Sequence, residues 1–219
     1  GIISSPNYRT LHELPVPRGG GIIFSLLLTM SIFLLWFNFI LSDNLFLVLG
    51  VGGFMAILFG FIDDIKNIKA SIKLIIQILL AFWVVYFFYM DGLLIIKWIP
   101  IYLSIPFLIF LIDWLLNAYN FIDGVDGLAA SMTIFISLTL ALVLFFTENI
   151  DYLTTLFILL AGVVGGFIVF NWPPASIFMG DAGSVYLGYI FGSLFLYTTL
   201  NGYISIWVWL TVSAYFLAD

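Results

Sequence analysis

Cysteine is absent from this 219-residue chain, and histidine occurs once, at His12. Disulfides, cysteine-zinc sites and thiol catalysis are therefore excluded, as is a metal site built from several histidines. Charged residues make up only 8% of the sequence, and lysine and arginine together number 6. So few basic residues cannot form a surface that follows nucleic-acid phosphates, and no nucleic-acid partner is expected.

Hydrophobic residues dominate instead, at 64% of the chain. A soluble domain carries about 25% charged residues and could not hide this much apolar surface from water. Long apolar runs between short polar breaks predict an all-α membrane bundle of about eight transmembrane helices, because lipid offers the backbone no hydrogen-bond partners. We treat residues 1–219 as one integral membrane domain with predicted spans at 22–41, 45–62, 71–90, 100–117, 128–146, 153–170, 185–200 and 203–217.

The polar segments between these spans alternate between two sides of the predicted membrane. One side receives residues 1–21, 63–70, 118–127 and 171–184, which are long and rich in asparagine and glycine. Basic residues concentrate on or beside this side, whereas Lys97 alone lies on the other. The positive-inside rule therefore assigns the first side to the cytoplasm. The basic residues that support this orientation are Arg9, Arg18, Lys66, Lys69 and Lys73.

An acidic pair, Asp63 and Asp64, ends the second predicted span. Adjacent carboxylates repel each other unless a cation or water screens them. Magnesium prefers such hard oxygen ligands, and a substrate phosphate can complete its shell. A solvated helix end, with Lys66 and Lys69 as partners, explains the pair equally well.

The segment 117–129, NAYNFIDGVDGLA, carries a more specific pattern. Asn117 and Asn120 are three residues apart, so they share a helix face if the fourth span continues that far. Asp123 and Asp126 repeat the same step, and the glycines between them let the backbone approach a ligand closely. A capping loop would explain one polar residue rather than several, so the pattern favours a ligand site.

The segment 171–184, NWPPASIFMGDAGS, precedes the seventh predicted span. Asp181 lies between glycines near a helix start, where it can present a carboxylate and backbone N–H groups to a metal-bound phosphate. Simple helix capping is the alternative for Asp181. Phe178 could stack on a nucleotide base or anchor the chain at the membrane interface.

Two further features complete the candidate set. PVPRGGG, residues 15–21, leads into the first span, and its Arg18 could hold a phosphate through two hydrogen bonds or act only as a positive-inside residue. Asp113 lies within the fourth predicted span. An intramembrane carboxylate is a functional hypothesis, and a hydrogen-bonded structural role is the alternative.

Together four motifs resemble one family, the polyprenyl-phosphate N-acetylhexosamine-1-phosphate transferases, which include MraY and WecA. The motifs are PVPRGGG, FIDDIKN, NAYNFIDGVDGLA and NWPPASIFMGDAGS, and they look closest to the WecA/WbpL branch. The resemblance implies transfer of a sugar 1-phosphate from a UDP-N-acetylhexosamine to polyprenyl (undecaprenyl) phosphate, with release of UMP. It also implies a site on the cytoplasmic face of a bacterial inner membrane and a role in starting O-antigen or related glycan synthesis.

The resemblance further implies a cofactor, partners and residue roles. The cofactor is Mg²⁺, with Mn²⁺ as a substitute. The partners are the two substrates, the lipid bilayer and a second copy of the chain in a homodimer. Because phosphoryl transfer needs charge neutralisation and in-line positioning more than covalent help, direct displacement is favoured over a covalent aspartyl intermediate, which is the alternative. By position in the motifs, the catalytic residues are Asp63 and Asp64, the metal ligands are Asn120 and Asp181, and the substrate-binding residues are Asn171, Phe178, Asp123, Asp126 and Arg18. His12, upstream of PVPRGGG, is added to the substrate-binding set, and an incidental histidine is the alternative.

The chain also departs from the family pattern. It stops before the histidine-containing loop that the family carries nearer its C-terminus, and a first span is missing, so we expect low or no activity from residues 1–219 alone. Two other classes remain open. CDP-alcohol phosphotransferases need Ala-Arg after an Asp-Gly pair, where this chain has Leu128-Ala129-Ala130. A polytopic transporter would place its polar groups near the membrane midplane.

Overall fold

A computed structural model of the chain describes residues 3–4, 16–93, 100–147 and 150–214. It confirms the all-α fold class. A two-stranded antiparallel ladder, β1 (Ile3–Ser4) with β2 (Val16–Pro17), precedes the helices. The helices are α1 (Gly21–Phe37), α2 (Asp43–Phe46), a π-helical segment (Leu47–Gly52), α3 (Gly53–Lys66), α4 (Ala70–Met90), α5 (Ile101–Ile122), α6 (Leu128–Thr147), α7 (Asp151–Asn171), α8 (Asp181–Leu200) and α9 (Ile206–Val212).

Within the described residues, five helices are long and apolar enough to cross a membrane. They are Asp43–Lys66, which includes the π-helical segment, and Ala70–Met90, Ile101–Ile122, Leu128–Thr147 and Asp151–Asn171. Gly21–Phe37 is a shorter apolar helix. Each predicted span coincides with a helix, although the boundaries differ.

Two boundaries differ most from the predicted spans. The first helix ends at Phe37 rather than near residue 41, because the chain turns at Phe39 with a left-handed φ of 57°. The last predicted span, 203–217, is an α-helix only over Ile206–Val212, and residues 215–219 lie outside the described chain.

Helix α8 forms the centre of the bundle, and its side chains are buried along most of its length. Helices α1, α3 and α5 pack against it. Small residues permit this close approach, as is usual between membrane helices. A Cβ on Gly188 would lie 2.8 Å from the Leu116 Cα of α5, and a Cβ on Gly60 of α3 would overlap the backbone of Asp181. The site-bearing start of α8 is thus held by its neighbours.

The helix ends at one end of the bundle are defined by backbone geometry that ordinary residues rarely adopt. Asn67 ends α3 in a left-handed conformation with φ 48°. Gly127, in the turn before α6, and Gly180, immediately before α8, have φ of 73° and 76°. Glycine adopts such values at little cost. These turns bring the four polar segments of the predicted cytoplasmic side together.

Candidate active site

A lysine joins two carboxylates from distant parts of the chain. The Lys73 ammonium of α4 contacts the Asp63 carboxylate at the end of α3. It also lies 3.1 Å from Oδ2 of Asp181, the first residue of α8. The two carboxylates therefore converge on a single ammonium group. Asp63 is 2% exposed, whereas Asp181 and Lys73 are 24% and 30% exposed, so the group opens to solvent on one side.

Asp64 has a different environment from its neighbour. Its two oxygens accept hydrogen bonds from the backbone N–H groups of Asp181 and Ala182, at 2.9 and 3.1 Å. These N–H groups have no partner inside α8, so Asp64 caps the helix from another helix. A Cβ on Gly180 would lie 2.8 Å from Asp64 Oδ2, so a glycine is needed at that point.

Asp123 joins the same cluster from the turn after α5. The Gly180 backbone N–H donates to its half-buried carboxylate. Burial, followed by the negative charge of Asp181, raises the pKa of the Asp123 carboxyl well above its usual range. The positive charge of Arg18 acts on both Asp123 and Asp64 and partly offsets this effect.

The two loops that carry most of the predicted substrate-binding residues are joined by side-chain to backbone hydrogen bonds. Buried Asn171 accepts from the Gly127 N–H at 3.0 Å and donates to the Ile177 carbonyl at 3.0 Å. Asp126 Oδ2 accepts from the Ala175 N–H at 3.0 Å. The loop 123–127 and the loop 172–180 therefore form one unit.

The glycine-rich segment before α1 pairs with the same unit. The Phe178 N–H donates to the Pro17 carbonyl at 2.9 Å, and the Gly20 N–H donates to the Phe178 carbonyl at 3.0 Å. This pairing places the exposed Arg18 beside the half-buried Phe178. The PVPRGGG segment, residues 15–21, thus reaches the site. His12 lies outside the described residues.

Asn120 and Asp113 are placed differently from the acidic cluster. Asn120 lies half-buried in the last full turn of α5, and in the part of the chain that the structure describes no hydrogen bond joins it to Asp181. Asn117, one turn earlier, pairs its amide with buried Gln77 at 3.4 and 3.5 Å. The Asp113 Oδ1 is buried without a hydrogen-bond partner among the described residues.

The donor set at Asp63 and Asp181 fits a cation that shares its shell with phosphate. Within the described ranges, no group of three or more His, Asp or Glu residues is arranged to hold a metal ion by itself. Magnesium is usually bound by only one or two carboxylates together with substrate phosphates and water. Two carboxylates that already converge on an ammonium group provide such a partial shell.

Lys73 is the site residue that sequence reasoning missed, because it was counted only as a positive-inside charge. A feature of the sequence around Lys73 could have identified it as a site residue. Lys73 lies within an otherwise apolar helical run, with Gln77 one turn further on. A charged residue inside a membrane helix usually faces a functional group or an opposite charge.

Comparison with known proteins finds relatives that are described as sugar-phosphate or muramoyl-pentapeptide transferases. A probable undecaprenyl-phosphate N-acetylglucosaminyl 1-phosphate transferase from Bacillus subtilis (strain 168) is 29% identical over 194 residues, which cover 86% of this chain and 53% of that protein. A phospho-N-acetylmuramoyl-pentapeptide-transferase from Streptococcus pneumoniae (strain Taiwan19F-14) is 35% identical over 190 residues, covering 78% of this chain and 56% of that protein. The enzyme of the same description from Lactococcus lactis subsp. cremoris (strain MG1363) is 40% identical over 146 residues, or 59% of this chain and 43% of that protein.

The chain therefore spans about half the length of the curated relatives that it matches. The sequence profile of Glycosyl transferase family 4 matches residues 46–199, which contain the acidic pair, the Lys73 contact and the start of α8. This match covers most of the chain and the centre of the candidate site, and on that ground the chain belongs to the glycosyl transferase family 4.

Proposed function

We propose that the full-length protein transfers an N-acetylhexosamine 1-phosphate from a UDP-sugar to a polyprenyl phosphate at the cytoplasmic face of a bacterial inner membrane. The observation that carries the proposal is the convergence of Asp63, Lys73 and Asp181 at the helix ends of a membrane-type bundle in this family. One substrate is soluble and the other is held in lipid. A site at the ends of membrane helices can be reached by both.

The proposed reaction is a direct displacement at phosphorus. An oxygen of the polyprenyl phosphate attacks the β-phosphorus of the UDP-sugar, and the bond from that phosphorus to the bridging oxygen breaks. UMP leaves with the bridging oxygen, and the sugar remains on a polyprenyl diphosphate. Such a transfer depends on charge neutralisation and in-line positioning more than on covalent help from the protein.

The acidic cluster would supply the cation site for this reaction. Asp181 and Asn120 would hold Mg²⁺, or Mn²⁺ in its place, and Asp63 would contribute a further oxygen. When bound, the ion would neutralise charge on the diphosphate. Asp63 could also accept the proton of the lipid phosphate. Asp64 would act as a positioning residue, since both its oxygens hold the start of α8.

The paired loops would form the nucleotide pocket. Asn171 uses both ends of its carboxamide on loop backbone, so its proposed role is to shape the pocket for uridine. Phe178 would stack on the base, and Arg18 beside it would approach a phosphate. Asp123, Asp126 and His12 complete the proposed substrate-binding set.

The donor sugar and the pathway are proposed only by class. Relatives with N-acetylglucosaminyl and with N-acetylmuramoyl-pentapeptide donors in their names both match this chain. We favour a UDP-N-acetylhexosamine such as the N-acetylglucosamine form or a 6-deoxy derivative. The product would initiate O-antigen or a related cell-envelope glycan.

The function can be tested with the full-length protein reconstituted in liposomes with undecaprenyl phosphate. UMP release is measured for a panel of UDP-N-acetylhexosamines with and without Mg²⁺. We expect one or more donors to release UMP in a Mg²⁺-dependent manner. Absence of UMP release from every donor would contradict the proposal.

The variant Asp181→Asn tests the role of the acidic cluster in the same assay. Its loss of a carboxylate should lower kcat/KM by about a hundredfold to a thousandfold, the scale of a lost transition-state electrostatic contact. The matched control is Asp151→Asn, an exposed aspartate in the first turn of α7 at the other end of the bundle, which should keep near wild-type turnover. Equal activity of the two variants would remove Asp181 from the site.

A further inference from the structure

Lys73 occupies the position that a bound cation would need. Its ammonium contacts Asp63 Oδ2 and lies 3.1 Å from Asp181 Oδ2. The other Asp63 oxygen, Oδ1, is already used by the Ile68 N–H at 2.8 Å. Oδ2 is therefore the Asp63 oxygen that remains for a cation, and Lys73 holds it together with Oδ2 of Asp181.

In the absence of substrate, Lys73 reduces the repulsion between the two carboxylates. Two neighbouring carboxylates repel each other strongly in a half-buried site. The ammonium of Lys73 neutralises part of their charge and keeps their oxygens directed to a common point. Arg18 acts on Asp64 and Asp123 instead, and Lys66 and Lys69 are exposed on the surface.

We propose that Lys73 is a resident counter-cation that assembles the acidic site and competes with a divalent ion for the Oδ2 atoms of Asp63 and Asp181. This inference rests on the cation site of the proposed function. Lys73 leaves these oxygens when a divalent ion takes them, since its flexible four-carbon stem allows the ammonium to move while its backbone stays in α4. The displaced ammonium then remains within reach of an anionic substrate.

A purely structural ion pair predicts the opposite response to removal of the lysine. If Lys73 only organises the carboxylates, its loss lets them separate and weakens divalent binding. If Lys73 competes, its loss frees two oxygens and removes a like charge from the neighbourhood of the ion. Affinity for the divalent ion should then rise even though the site has lost an ion pair.

The measurement is Mn²⁺ binding to the full-length protein in detergent, without substrate, followed by electron paramagnetic resonance. Lys73→Met should bind Mn²⁺ at least about tenfold more tightly than wild type, because a unit of like charge has been removed a few ångströms from the ion. Lys73→Arg keeps the charge and should stay near wild type. The control Lys69→Met removes an exposed lysine close in sequence and should change affinity by less than about twofold.

The outcomes separate this inference from the proposed function. If Lys73→Met binds Mn²⁺ as tightly as wild type or less tightly, and Asp181→Asn still abolishes binding, the competition is overturned and the cation site of the proposed function stands. If Asp181→Asn leaves Mn²⁺ binding unchanged, the ion binds elsewhere, and both the cation site and the competition are overturned.

A second measurement needs no variant at position 73. The acylation rate of Lys73 in wild type is followed by mass spectrometry as Mg²⁺ is added. Displacement predicts faster acylation of Lys73 at saturating Mg²⁺, with Lys69 unchanged as the internal reference. An acylation rate that does not rise with Mg²⁺ contradicts the proposal.

Discussion

At the scale of single residues, the acidic pair shows how two identical side chains acquire different roles. Asp63 faces Lys73 and Asp181, whereas Asp64 accepts two backbone hydrogen bonds at the start of α8. The sequence predicts that both carboxylates need a partner. Which partner each obtains depends on how α3 is rotated against α8, and adjacent residues on a helix point about 100° apart.

The capping role of Asp64 predicts a stability effect. Asp64→Ala removes both acceptors from the N-terminal N–H groups of α8 and should lower the free energy of unfolding by about 1–2 kcal/mol. The measurement is thermal unfolding of the purified full-length protein. Asp151→Ala, which removes an exposed first-turn aspartate of α7, should cost only a few tenths of a kcal/mol. Equal losses would show that Asp64 does not hold the helix start.

The other site residues differ in how far the sequence predicts them. The motif patterns predicted that Asn171, Asp126 and Asp181 belong to a common site, and the structure places their segments in contact. Lys73 could not be assigned from spacing alone, because its partners come from two other helices. The roles of Asn171, Asp126 and Asp181 toward substrate stay predictions.

At the scale of elements, the sequence predicts the helices well and their internal irregularities poorly. Hydropathy places a helix at each predicted span, since an apolar run must be helical in lipid, but five of the described helices are long and apolar enough to cross a membrane. The π-helical turn Leu47–Gly52 has no such signal. Its carbonyls at Leu47 and Val48 accept from the Trp83 indole and the Tyr189 hydroxyl, both at 2.9 Å. These partners come from α4 and α8, so only the assembled bundle stabilises the irregular turn.

Close contact between α3 and α8 leads to a prediction at this scale. Gly60→Ala would force a methyl group into the backbone of Asp181 and Ala182, and overpacking of this kind costs about 1–3 kcal/mol. The substitution should lower the melting temperature and reduce turnover, because it displaces the start of α8.

The matched control for Gly60 is Gly162 of α7. A Cβ at Gly162 meets nothing within 4 Å, so Gly162→Ala should be neutral or slightly stabilising, as removing a helical glycine reduces the entropy of the unfolded chain. Both variants are compared by thermal unfolding. A Gly60→Ala protein as stable as Gly162→Ala would show that α3 and α8 are less tightly packed than described.

At the scale of the whole molecule, four segments far apart in the sequence meet at one end of the bundle. Polar groups collected at helix ends are more typical of an enzyme that works at the membrane surface than of a transporter, whose groups lie near the midplane. Alternation of spans was enough to predict which segments share a side. It could not predict their contacts, which arise from the order of the helices around α8.

The proposed orientation predicts which segments face the cytoplasm. This chain has no cysteine, so single cysteines report cleanly on position. Val125→Cys, in the loop before α6, should react with a membrane-impermeant maleimide only from the cytoplasmic side. Phe39→Cys, 96% exposed at the other end of α1, should react only from the outside. Labelling of both positions from the same side in right-side-out and inverted vesicles would contradict the topology.

The central claim is that Asp63 and Asp181 act on one reaction as a single cation-binding unit. Its most direct test is a double-mutant cycle on UMP release by the full-length protein, with Asp63→Asn, Asp181→Asn and the double variant. Residues that act as a unit have non-additive effects, so kcat/KM of the double variant should lie within about tenfold of the worse single variant. A double variant whose loss equals the product of the two single losses would show that the two carboxylates act independently and would contradict the account.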